Sequence, residues 1–85
     1  MYEIRLADGP AKYYKKCSTN VVHQLNIAFE DISQSPFWGI HIKKLKGELK
    51  DKYRYRVGSF RIIYSINKEE KVIWMENIGS RGDIY

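Results

Sequence analysis

A single cysteine, Cys17, is the chain's whole stock of thiol. That excludes an internal disulfide and a cysteine-built metal site, and with no histidine near it Cys17 reads as a small helix residue. Histidine is scarce too. His23 falls in a helical pattern and His41 in a basic loop, so no His/Asp/Glu set has metal-ligand spacing and both read as surface residues. No apolar run approaches the roughly 20 residues of a membrane-spanning helix. The N-terminus also lacks the basic-then-apolar pattern of a signal peptide, and the expected compartment is the cytoplasm. At 85 residues and 44% hydrophobic content the chain can bury one modest core but not two, so residues 1–85 are read as a single domain of ordinary stability.

Positive charge is what the chain has in excess, and it is concentrated. The net charge is +5, yet the segment from His41 to Arg61 carries eight Lys/Arg against Glu48 and Asp51, a balance of +6 that leaves −1 for all the rest. Its lysines are Lys43, Lys44, Lys46, Lys50 and Lys52, and its arginines are Arg54, Arg56 and Arg61, interleaved with tyrosines. Such a stripe is the footprint of a nucleic-acid surface, RNA above all, where stacking and phosphate contacts combine. An acidic protein partner can use the same patch, and composition leaves both open.

Within that segment, Tyr53 to Tyr64 reads as a β-hairpin. Gly58-Ser59 is a two-residue loop of the kind that suits a type II′ turn, flanked by aromatic, β-branched and arginine residues in alternation. Pairing Val57 with Phe60 sets Arg56 opposite Arg61, Tyr55 opposite Ile62, Arg54 opposite Ile63 and Tyr53 opposite Tyr64. Side chains alternate faces along a strand, so Tyr53, Tyr55, Val57, Phe60, Ile62 and Tyr64 share a core face while Arg54, Arg56 and Arg61 share the other. Like charges directly opposed on a sheet cost about 0.2–1 kcal/mol. A solvated face on which long side chains splay apart explains the arginines as well as a bound anion does. Arginine at all three positions suits bidentate contacts to phosphate.

The flanking segments supply the remaining elements. Tyr2 to Leu6 alternates as a strand; Asp8-Gly9-Pro10 turns into a short helix running to about Cys17, with Asp8 as its cap and Ala11, Tyr14 and Cys17 inward. Ser18-Thr19-Asn20 caps a longer helix to about Ser33, with Val22, Leu25, Phe29 and Ile32 on one face and Val21 and Ala28 beside them. Phe37 to Asp51 shows no clear period and reads as a basic connecting loop pinned by Phe37, Trp38, Ile40 and Leu45. After a polar turn at Asn67 to Glu70, Lys71 to Ile78 reads as a buried final strand. The expected fold class is α+β: an N-terminal strand, a helical hairpin and a three-stranded antiparallel meander, with the helices packed on one sheet face. The uncovered face is the one carrying the arginines.

Leu45-Lys46-Gly47, the hairpin, and the tail Ile78-Gly79-Ser80-Arg81-Gly82-Asp83-Ile84-Tyr85 together resemble the RelE/ParE superfamily of bacterial and archaeal type II toxins. The resemblance covers the chain end to end in length and element order. For the RelE branch it implies a small RelE-like domain that cleaves messenger RNA in the ribosomal 30S A site without metal or other cofactor. The RNA's own 2′-hydroxyl attacks the adjacent phosphate, giving a 2′,3′-cyclic phosphate and a free 5′-hydroxyl. By position, Arg54 and Arg56 match two basic residues flanking the phosphate, and Arg61 matches the arginine that stabilises the transition-state charge. Arg81 matches a second phosphate-binding arginine, and Tyr85 a C-terminal tyrosine that stacks on a base or assists proton transfer.

Where many relatives carry a histidine immediately before the tail arginine, this chain has Ser80. A serine without a partner is no base near neutral pH, and arginines stay charged, so Tyr85, Lys52 or a ribosomal group is expected to move the proton. The ParE branch implies a different activity, inhibition of DNA gyrase by binding alone, and an inactive RNA-binding relative is the third reading. Both toxin branches imply a cognate antitoxin whose acidic or amphipathic segment covers the basic groove or the sheet edges.

Overall fold

The computed structural model of the chain describes residues 1–47 and 51–80. In chain order the elements are β1 (Glu3–Leu6), α1 (Asp8–Lys16), α2 (Thr19–Gln34), β2 (Ile42–Lys44), β3 (Lys52–Val57), β4 (Phe60–Asn67) and β5 (Val72–Ser80). The strands form one mixed sheet in the order β1-β5-β4-β3-β2, with β1 parallel to β5 and every other pair antiparallel. The parallel pair follows from the two helices, which carry the chain back across one face before β5 is reached.

Local chemistry explains the helix ends. Ser18 caps α2, its Oγ accepting from the Val21 backbone N–H at 3.4 Å, and Pro36 follows the helix end. At α1 the cap position falls to Ala7, with no side-chain cap bond, and Asp8 lies inside the first turn. There its carboxylate sits against the positive end of the helix dipole instead of capping it.

Leu25, Ala28 and Ile32 of α2 pack on Tyr55, Ile62, Tyr64, Ile73, Met75 and Ile78, forming the core between helices and sheet. Each fully buried Leu or Ile contributes about 1.5–3 kcal/mol relative to exposure. Tyr64 ties this core to the chain leaving α2: its hydroxyl donates to the Pro36 carbonyl at 2.6 Å and its ring stacks on Tyr53 at 5.6 Å. Burial, followed by the nearby Tyr53, Asp31 and Tyr55, pushes the Tyr64 hydroxyl well above its ordinary pKa, so it remains a donor.

Two expectations need correction. The stretch from Phe37 to Asp51 is not wholly a loop, because Ile42 to Lys44 pairs with Tyr53 to Tyr55 as a fifth, edge strand. Three residues are too few for a period to show. Of the four pins, Leu45 is buried and Phe37 half-buried, but Trp38 is 77% exposed and Ile40 96% exposed. A β-bulge was also invisible: Ile63 pairs with Asn77 and Tyr64 with Met75, leaving Glu76 as the extra residue. The bulge shifts the alternation, which lets Met75 and Ile78 both join the core.

Candidate nucleic-acid interface

The hairpin pairs in the register its sequence implies, from Tyr53 with Tyr64 to Val57 with Phe60. Gly58 has φ +54° while Ser59 is not among the residues of positive φ, the sign pattern of a type II′ turn. Cross-strand partners share a face, so the open side of the sheet carries a row Lys43, Arg54, Ile63, Asn77 and beside it a row Arg56, Arg61, Gly79. β2 thus adds Lys43 to the three arginines.

A hollow of about 550 Å³ opens at this place, lined by Ile40, His41, Ile42, Lys43, Arg54, Arg56 and Gly58. The Nε of Arg54 is buried and has no hydrogen-bond partner among the described residues. A buried donor left unpaired costs about 1–3 kcal/mol. An oxyanion seated in the hollow would screen its cations from one another.

The other candidates divide. Lys52 lies on the same face but donates to Glu76, which also accepts from the Ser65 hydroxyl, so its ammonium is already paired. Lys44 pairs with Tyr53 on the helix side and lines a separate hollow of about 590 Å³ with Phe37, Asp51, Tyr53 and Asn67. Lys46 is exposed. Lys50, Arg81 and Tyr85 lie outside the described residues. No three His, Cys, Asp or Glu side chains come together among the described residues.

His41, read from sequence as a surface residue, is exposed but lines the hollow. Ile42 N–H donates to the Gly39 carbonyl at 3.1 Å, closing a turn with Ile40 and His41 at its tip, and Arg56 N–H donates to the His41 carbonyl at 2.9 Å. The His41 ring centroid lies 5.3 Å from that of Tyr55. The sequence signal was the spacing of His41 and Lys43, one strand period apart. It carried no meaning until β2 was known to be a strand.

The family model described as the ParE toxin of the type II toxin–antitoxin system parDE matches residues 3–85. The chain belongs to that family. The resemblance carried by the hairpin and the tail to the RelE/ParE superfamily therefore holds, and this ParE-family chain is the toxin of a type II system. Its fold is similar to solved RelE structures. A chain of the Mycobacterium tuberculosis toxin–antitoxin complex RelBE2 superposes with a TM-score of 0.80 at 23% identity, over 94% of this toxin and 98% of that chain. The isolated Escherichia coli RelE toxin gives 0.81 at 22%, over 95% and 85%. The archaeal RelE–RelB complex of Pyrococcus horikoshii gives 0.80 at 25%, over 96% and 97%. No curated protein sequence matches.

Proposed function

We propose that this toxin is an endoribonuclease that cleaves messenger RNA on the ribosome in the cytoplasm, with the RNA's own 2′-hydroxyl as nucleophile and no metal ion. The observation that supports it is the convergence of Lys43, Arg54, Arg56 and Arg61 on one sheet face, with the Arg54 Nε buried and unpartnered among the described residues. Attack by an internal hydroxyl passes through a five-coordinate phosphorus bearing extra negative charge. Fixed guanidiniums stabilise that charge without reorganising during the reaction, because folding has already brought the cations together. In this reading Lys43, Arg54 and Arg56 hold the scissile phosphate and its neighbour, and Arg61, opposite Arg56, meets the developing charge. Arg81 and Tyr85 complete the set on the strength of the sequence resemblance.

An antitoxin partner belongs to the same reading. Similar folds have been solved as toxin–antitoxin complexes, among them RelBE2 and RelE–RelB. An acidic or amphipathic antitoxin segment laid over the basic face neutralises it and blocks the hollow.

Brief induction of the untagged chain in a bacterial host, with primer extension on abundant messages, tests the proposal. Cuts inside translated codons are expected, weakened on the order of 10²–10³ by Arg61→Ala. The family's description as a ParE toxin favours a second reading, poisoning of DNA gyrase without chemistry. That reading requires growth arrest with DNA damage, no message cuts, and toxicity that survives Arg61→Ala.

A further inference from the structure

Ile73 and Met75 belong to the core, so Trp74 between them faces the open side of the sheet, where it stays 40% exposed. Its partner on β4 is Ser65 and its partner on β1 is Arg5. Ser65 alternates in step with Ile63 and Arg61, which puts the indole on the same face as the arginine cluster. Ser65 lies four residues along β4 from Arg61, about 13 Å at the rise of a strand.

A lone exposed indole needs no explanation by itself, but this one has particular surroundings. The Arg5 guanidinium lies over the ring, 5.9 Å from its centroid, and Arg5 is in turn held by Glu3. Toward the arginines the face continues through Ser65, Lys52, Glu76 and Asn77. The two carboxylates on this part of the face are both occupied, Glu3 by Arg5 and Glu76 by Lys52 and Ser65. A polyanion crossing from Arg61 to Trp74 therefore meets no unpaired acid among these residues. A cationic track that ends on an aromatic platform is the arrangement that holds single-stranded nucleic acid with little regard to sequence.

We propose, resting on the ribonuclease reading, that Trp74 is a stacking platform for a base of the single-stranded message to one side of the cleaved bond. The arginines hold the reacting phosphate, and the indole, steadied by Arg5, takes the face of a flanking base. Its part is to bind and align the strand, not to move a proton. Continuity with the cationic face favours RNA over a protein partner at this position.

The test is single-turnover cleavage of a defined message on paused ribosomes over a range of toxin concentrations, for the wild type, Trp74→Phe, Trp74→Leu and Arg61→Ala. The message carries an abasic nucleotide at one position at a time on either side of the cleaved bond. Trp74→Leu should raise the half-saturating toxin concentration about 5–150-fold, the worth of one stacked base, and leave the maximal rate within about twofold. Trp74→Phe keeps a ring to stack on and should stay within about threefold of wild type. At one flanking position an abasic nucleotide should weaken the wild type about as much as Trp74→Leu does, and should cost Trp74→Leu nothing more. Wild-type half-saturation in Trp74→Leu overturns the inference and leaves the indole to a protein partner. A wild type indifferent to an abasic nucleotide at every position overturns it too, whatever the variants do. In either case, cuts by the wild type that Arg61→Ala weakens keep the ribonuclease reading standing. A wild-type chain that cuts no message overturns both.

Discussion

Tyrosine hydroxyls show how much a single residue can depend on distant chain. Tyr55 and Tyr64 were legible as core residues from alternation alone, but their partners, Asp31 and the Pro36 carbonyl, lie 24 and 28 residues away. No local pattern announces such bonds. Removing the Tyr64 hydroxyl with Tyr64→Phe leaves the Pro36 carbonyl unpaired in a buried place, and we expect a loss of about 1–3 kcal/mol. Urea denaturation should show a lower midpoint with an unchanged slope. The arginines are the opposite case: their face and pairing were readable from the hairpin, because a two-residue turn fixes register. The buried Nε of Arg54, unpartnered among the described residues, was not readable, since it depends on what β2 brings alongside.

Among the elements, β5 is the one whose sequence misleads most. Met75 and Ile78 are an odd spacing for two residues on one strand face, and the bulge at Glu76 is the reason both reach the core. The extra residue turns a carboxylate onto the open face, where Lys52 and Ser65 hydrogen-bond to it. Burial alone raises the Glu76 pKa, but those hydrogen bonds and the Lys52 charge outweigh it and hold the carboxyl below its ordinary range. A depressed folded value stabilises the fold above the unfolded pKa, and that contribution disappears as pH falls through the folded value. Glu76→Gln should therefore be less stable than wild type by about 1 kcal/mol at neutral pH. The gap should persist down to about pH 4 and close below it, as the unfolded carboxyl near 4.3 and then the folded one take up protons. Chemical denaturation at intervals between about pH 3 and 7 measures it.

At the scale of the molecule, the balance of +6 carried by His41 to Arg61 should make RNA binding, on the proposed ribonuclease reading, strongly salt-dependent. Each phosphate contact released from a single strand changes the slope of log K against log salt by about 0.7. Arg56→Gln should flatten the slope by about that amount, equally for messages of different sequence, as read by fluorescence anisotropy with a cleavage-resistant 2′-deoxy oligonucleotide. The amino-acid sequence by itself determined the class of fold, the hairpin with its register, and the charge on its outer face. These are properties of neighbouring residues: alternation, turn chemistry and composition act within about a dozen positions. Only the tertiary structure decided that β2 is the fifth strand, that the bulge at Glu76 ties up Lys52, and that His41 lines the hollow of Lys43, Arg54 and Arg56. Each of those depends on the pairing of segments far apart in the chain, and a three-residue edge strand has too little period of its own to show where it will pair.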